Sequence, residues 1–314
     1  MEVTHMKKMS RCSICSGPVI CCILVLFSLM CGCVDTDTAP ATDTAEQEEG
    51  ITPPVCIPPQ SEADFQEDLP PIHASEVSIT VLYDNNVYDP HLQPDWGFSC
   101  LIKGCEKTIL FDTGANGSLL LKNMEKLQVT PEEIDIIVLS HIHQDHTGGL
   151  ESILKIKGEL TVYVLQSFPF ALKEQIQGYG AHVIEVDHPV RVCSHVYTTG
   201  GIGAYISEQA LIIRTDEGLV IITGCAHPGI VRIIQKAHDL LLSDIFMVMG
   251  GFHLQGATQS QIQEIIAQCQ ELGVQYAGPC HCSGDMAMVL FEQAYNTHYL
   301  SIGVGTVIYL SELE

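Results

Sequence analysis

Apolar positions along the chain follow two rhythms. Short aliphatic runs alternate with stretches in which apolar residues recur three and four apart, the marks of strands and helices. Residues 77–83 alternate and are rich in β-branching, which predicts a strand, and 97–103 with 107–111 predict a hairpin turning at Lys103-Gly104. Residues 117–127 are apolar at helical spacing, and Thr130-Pro131-Glu132-Glu133 carries the signal of a helix start with Pro in its first turn. Residues 136–139 form a continuous aliphatic run, a buried strand that stops at Ser140. Further strands are predicted at 160–165 and 182–186, and antiparallel strands at 204–206, 210–214 and 219–223. A helix over 228–241, a strand over 245–249, a helix over 259–272, a strand over 274–277, a helix over 285–293 and a strand over 305–310 complete the series. There is no internal repeat. Hairpins and crossovers mix in both halves, which predicts an α/β chain of two sheets covered by helices.

The first 76 residues break this pattern. Lys7, Lys8 and Arg11 precede an apolar run over 18–30, shorter than the ~20 residues that span a bilayer as a helix. The layout resembles a lipoprotein-type signal peptide over residues 1–32, with Gly32 before Cys33 as the lipidated first residue of the mature chain. An uncleaved single-span anchor is the alternative. Both readings put the rest of the chain outside the cytoplasm and tether it to a membrane. Residues 33–76 read as an acidic, Pro/Thr-rich disordered linker, with 11 acidic residues and no Lys or Arg. The folded domain is then expected over 77–314.

Composition narrows the function. The chain has 314 residues, 46% of them apolar but only 6% aromatic, so the core should be aliphatic. Its 14 Lys and Arg against 38 Asp and Glu give −24, which excludes a nucleic-acid surface and docking on anionic lipid through a basic face. Six of the 14 cysteines lie in residues 1–33; an exported chain permits disulfides among the remaining eight, with no pairing deducible, and an anaerobic source leaves all eight reduced.

The chemistry gathers at strand ends. Ser140-His141-Ile142-His143-Gln144-Asp145-His146-Thr147-Gly148-Gly149 holds three histidines and one carboxylate straight after a buried strand. In an extended loop, alternate residues point the same way, so His141, His143 and Asp145 are expected to converge, with His146 across the turn. Imidazole nitrogen and carboxylate oxygen suit zinc and similar ions.

This run resembles the metal motif of the metallo-β-lactamase superfamily, and Asp112-Thr113-Gly114 before a helix matches a second landmark of it. The segments around Gly224-Cys225-Ala226-His227-Pro228-Gly229, Gly250-Gly251-Phe252-His253-Leu254 and Cys280-His281-Cys282-Ser283-Gly284 resemble the branch named for a dihydropterin–ribofuranosylaminobenzene phosphate synthase of the methanopterin pathway. The resemblance implies an αββα sandwich of two mixed sheets flanked by helices. It implies that His141 and His143 bind one metal with His227 as third ligand, and that Asp145 and His146 bind a second, completed by His281. His281 also admits a redox or disulfide reading, because Cys280 and Cys282 bracket it. His253 is open between substrate contact and metal ligand. Asp112 is read as a carboxylate that orients a ligand histidine or the loop from behind. Cys225 stands where many members carry a bridging Asp; its thiolate is a candidate zinc ligand, and otherwise the second ion is weaker or absent. His143 stands where the di-iron relatives carry Glu, which favours zinc, with manganese and iron left open.

Two such ions lower the pKa of bound water to ~7 and polarise a carbonyl or phosphoryl oxygen. The expectation is a hydrolase that uses a metal-bound hydroxide, oriented by the catalytic Asp145, on an ester, amide or phosphoester of a small molecule. The branch name implies pterin synthesis, which is cytoplasmic work and conflicts with the export signal. A dihydropterin-type synthase or transferase is therefore the alternative, with a non-catalytic zinc-binding surface lipoprotein as another. A closed structural zinc site needs only four ligands, which argues against that last reading.

Overall fold

The aliphatic runs pair into two mixed sheets in the computed structural model, which describes residues 54–56, 58, 65 and 70–313. The expected signal peptide and Cys33 lie outside these residues. The strands are β1 (Val55–Cys56), β2 (Ser78–Tyr83), β3 (Ser99–Lys103), β4 (Ile109–Phe111), β5 (Ile136–Val138), β6 (Thr161–Leu165), β7 (His182–Val186), β8 (Val190–Cys193), β9 (Val196–Thr198), β10 (Leu211–Thr215), β11 (Gly218–Thr223), β12 (Ile245–Gly251), β13 (Tyr276–Cys280) and β14 (Val307–Tyr309). One sheet runs β1-β7-β6-β5-β4-β3-β2-β14, the other β13-β12-β11-β10-β9-β8. In the first, β4, β5, β6 and β7 are parallel neighbours, and so are β11, β12 and β13 in the second. Antiparallel meanders make up much of the remainder.

Helices α1 (Gly117–Lys126), α2 (Gln144–Thr147), α3 (Leu150–Leu154), α4 (Phe170–Gly178), α5 (Ile230–Leu241), α6 (Gln259–Glu271) and α7 (Asp285–Tyr295) complete the layers. α1 starts where the Asn116 side chain accepts from the Ser118 and Leu119 amides. Leu120, Met124, Ile153 and Ile176 of α1, α3 and α4 share a core with Val81, Ile137 and Val164 of the first sheet. The same core takes in Leu211, Ile213, Val220 and Ile222 from the second sheet. The alternate residues Ile212, Leu219 and Ile221 face Ile233, Ile234, Ile262 and Phe291 of α5, α6 and α7. The central strands are thus apolar on both faces because both faces are covered. Each fully buried Ile or Val contributes roughly 2 kcal/mol by area. The architecture is the αββα sandwich expected from the sequence.

Several local expectations are corrected. Thr130–Glu133 makes only a short 3-10 turn over Pro131–Glu133, after which the chain enters β5. The 204–206 run is no strand: Gly203 turns with φ 106 and the Tyr205 side chain is fully exposed. The hairpin of β8 and β9 and helix α4 had no sequence prediction. The strand expected at 274–277 is displaced to β13, where its last residue leads directly into His281. The domain also begins before Val77. Within the stretch read as linker, β1 pairs in parallel with β7, Ile72 bridges to Thr215, and Phe65 is buried against Tyr197.

Candidate metal centre

The parallel strands of both sheets deliver their C-terminal ends to one place. β4 leads to Asp112, β5 to Ser140 and His141, β11 to Cys225 and His227, β12 to His253, and β13 to His281. Four of the residues at these exits are non-glycines in left-handed backbone: Asp112 (φ 56), Ala226 (φ 59), His253 (φ 54) and His281 (φ 48). Such conformations cost about 1–3 kcal/mol each and concentrate where function demands an abrupt turn.

Asp112 organises the first donors. Its Oδ1 accepts from the Ser140 amide at 2.7 Å, and its Oδ2 accepts from the Ser140 hydroxyl at 2.6 Å. The hydroxyl oxygen is then free to accept from His141 Nδ1 at 2.9 Å. His141 Nε2 is left as a lone pair, 3.0 Å from His143 Nδ1, which in turn lies 3.2 Å from His227 Nε2. Burial, joined by the nearby His146 and His227, pushes His141 far below the usual imidazole range. Burial, with His253 and His143 beside it, pushes His227 down to about 4. Neutral imidazole is the form that ligates metal.

The second donors have the same construction. His146 Nδ1 donates to Asp112 Oδ2 at 2.7 Å, which turns Nε2 toward Asp145 Oδ2 at 3.5 Å and Cys225 Sγ at 3.2 Å. His281 Nδ1 meets Asn85 Oδ1 at 2.9 Å. Its Nε2 is buried and 3.3 Å from Asp145 Oδ2, yet makes no hydrogen bond. Burial opposes charge on His146, but Asp112 and Asp145 overcome it and hold the ring up to about 10. Asp145 resists its own burial and stays well below the carboxylate range through His146 and His281. Two carboxylates therefore call for positive charge at this point, and a divalent cation meets that demand.

One donor atom each from Asp145, His146, Cys225 and His281 lies within 4.8 Å of the others, and the same holds for His141, Cys225 and His227. Nitrogen, oxygen and thiolate sulfur at such spacing fit divalent ions of the zinc type. The residues present thus fit a metal centre.

All the residues singled out in the sequence meet here, with two differences of detail. The extended loop ends at His143, and α2 puts Asp145 and His146 on one helical turn toward His281. His253 packs its ring 4.3 Å from that of His227 and groups with Cys225 and Cys282. Cys280 and Cys282 form no disulfide, and every described cysteine with a placed side chain is free.

Sequence reasoning missed four supporting residues. Buried Glu208 accepts the amides of Cys225, Ala226 and His227, each at 2.8 Å. Burial raises its carboxyl, and those three amides oppose the rise. Asn85 holds His281, and buried Asp84 accepts the His281 amide at 3.1 Å. Trp96, 44% exposed, stands with its ring 4.9 Å from His281. It borders a cavity of about 190 Å³ that reaches Asn85, Gln255, His281 and Met286.

Residues 94–233 match the family model described as the metallo-beta-lactamase superfamily. The 7,8-dihydropterin-6-methyl-4-(beta-D-ribofuranosyl)-aminobenzene-5'-phosphate synthase of Methanocaldococcus jannaschii is 31% identical over 273 residues, which span 70% of this chain and 93% of that synthase. A solved metal-dependent hydrolase of the β-lactamase superfamily superposes with a TM-score of 0.64 at 26% identity, over 74% of this chain and 98% of its own. Human tRNase Z, short form, shares the fold at 14% identity, with a TM-score of 0.52 over 74% of this chain and 99% of its own.

Proposed function

The chain belongs to the metallo-β-lactamase superfamily, and from that premise we propose that it is a metal-dependent hydrolase of a small-molecule ester, amide or phosphoester. One observation carries the proposal: the outer nitrogens of His141, His146 and His281 donate to Ser140, Asp112 and Asn85 respectively, so their inner nitrogens face one another with lone pairs free for a metal. His141, His143 and His227 would hold one ion, and Asp145, His146 and His281 a second, with Cys225 beside both. The mixed nitrogen, oxygen and sulfur set favours zinc. When bound, such ions would lower the pKa of water to ~7 and would polarise the oxygen of the scissile bond. Asp145 would orient a water with the carboxylate oxygen it does not turn to His146 and His281. Trp96 flanks the approach to His281 and excludes water from one side of the substrate.

The identity to a synthase favours a second reading, in which the same centre serves synthesis from a pterin-type substrate. Elemental analysis of the purified protein, followed by a screen of chromogenic esters, amides and phosphoesters with and without a dihydropterin, separates the two. Hydrolysis without pterin is expected. Turnover only with pterin replaces it by the synthase, and full metal occupancy without turnover removes the enzyme reading. His143→Ala should abolish hydrolysis and remove the metal equivalent that His143 helps hold in a folded protein; surviving activity overturns the first set of ligands.

Export and lipidation at Cys33 are proposed on the sequence signal alone. Cys33→Ala should move the protein from the membrane to the soluble fraction and remove a fatty-acyl mass, and an unchanged distribution counts against the anchor.

A further inference from the structure

Beside the two histidine sets lies a group of donors of which the hydrolytic reading uses only Cys225. Cys225 Sγ, Cys282 Sγ and a ring nitrogen of His253 lie within 4.8 Å of one another. We propose that Cys225, His253 and Cys282 form a further cation site, for a thiophilic ion such as zinc or cadmium.

The backbone is arranged to make this approach. A Cβ at Gly251 would sit 2.7 Å from Cys282 Sγ and 3.1 Å from Cys225 Cα, so only glycine lets the two cysteines come so near. Gly251 is itself held by its amide on the Gly224 carbonyl at 3.1 Å. Two residues on, His253 adopts left-handed backbone, which swings its ring back over the cluster. The Phe252 amide donates to Ser283 Oγ at 3.0 Å, and the Cys282 thiol lies 3.6 Å from the Cys225 carbonyl, so the loops after β11, β12 and β13 are tied together around the site.

The chemistry of the set is distinct from that of its neighbour. Two sulfurs and one imidazole suit soft cations, and three protein donors leave a fourth position open. Both thiols are buried, Cys225 3% and Cys282 4% exposed, and neither is in a disulfide. His253 is exposed and gives an entering ion a path. A thiolate has lone pairs enough to bridge, so Cys225 can serve this site and touch the groups of His146 and His227 as well. The proposal stands whether or not the centre hydrolyses anything.

The test is a cadmium titration of the full-length apoprotein, reading bound ion by equilibrium dialysis and the ultraviolet thiolate-to-cadmium charge-transfer band. Relative to the unaltered protein, Cys282→Ser should lose one bound equivalent and at least the share of the band contributed by one thiolate. His253→Ala, at an exposed position, should weaken that same equivalent at least ~10-fold. His143→Ala should lose an equivalent while keeping the share of the band that depends on Cys282, so failure of the histidine centre is read separately. If both Cys282→Ser and His253→Ala keep the original stoichiometry, affinity and band, the site does not exist. Should Cys282→Ser fail to fold, unchanged cadmium affinity in His253→Ala overturns the proposal by itself.

Discussion

Asp112 Oδ2 lies 2.7 Å from His146 Nδ1 while also accepting the Ser140 hydroxyl at 2.6 Å. One oxygen thereby sets the ring orientation of His146 directly and of His141 through Ser140. Asp112→Asn keeps the shape but brings an NH₂ against groups that already donate. Metal affinity is expected to fall ~10–100-fold, because carboxylates behind ligating histidines have effects of that size. Competition with a chromophoric chelator measures it. Affinity within twofold of the original would show that Asp112 does not organise the donors.

Glu208 performs the corresponding task for the loop after β11. Its Oε1 accepts the amides of Cys225 and Ala226, and its Oε2 accepts that of His227. Glu208→Gln leaves at least one of these buried amides facing another donor, a loss of about 1–3 kcal/mol. Denaturant unfolding should show it as a lower midpoint with unchanged slope. The displaced loop should also release the ion held by His227 more easily than the one held by His281. Equal retention of both ions would place the effect in the fold alone.

These residues show what a sequence conveys and what it withholds. The His141–His146 run is legible because its donors are neighbours in the chain and follow an aliphatic strand. The strand ends at Asp112, His227 and His281 are legible for the same reason. Glu208, Asn85 and Asp84 are single polar residues in irregular loops, and only the tertiary fold brings them behind the histidines. α4 escaped because its exposed Phe170 and buried Lys173 invert the usual amphipathic stripe; Lys173 pairs with Glu185 at 2.9 Å. The β8–β9 hairpin escaped because Ser194 and His195, the latter in left-handed backbone, interrupt a short apolar alternation. β1 lies in acidic, Pro-rich sequence whose composition predicts disorder, yet the edge of the first sheet pairs with it.

Trp96 should act on substrate and not on metal. Its half-exposed ring borders the cavity that reaches His281, and no hydrogen bond ties its side chain to a metal-facing residue among the described contacts. Trp96→Ala removes an aromatic contact worth about 0.5–1.5 kcal/mol. KM for substrates carrying a ring should rise by roughly 2- to 10-fold, with metal content and kcat retained. Metal loss in this variant would mean instead that the stack on His281 supports ligation.

Gly224 tests how tightly the two sheets must meet. A Cβ there would stand 2.1 Å from Ser140 Oγ and 2.9 Å from Asp112 Oδ2, inside the hydrogen-bonded pair that orients His141 and His146. Neither group can retreat, since Ser140 and Asp112 are both fully buried. Gly224→Ala is therefore expected to cost about 1–3 kcal/mol by overpacking, and to lower metal affinity by separating Ser140 from Asp112. Gly178, the last residue of α4, provides the contrast, because a Cβ there meets nothing within 4 Å. Gly178→Ala should be neutral or stabilise by about 0.5–1 kcal/mol through lower chain entropy and better helix propensity. Thermal unfolding and chelator competition on the two variants decide the matter. Equal behaviour of both would mean that the rim between β5 and β11 yields to an added methyl, and that the geometry around Asp112 is softer than its hydrogen bonds imply.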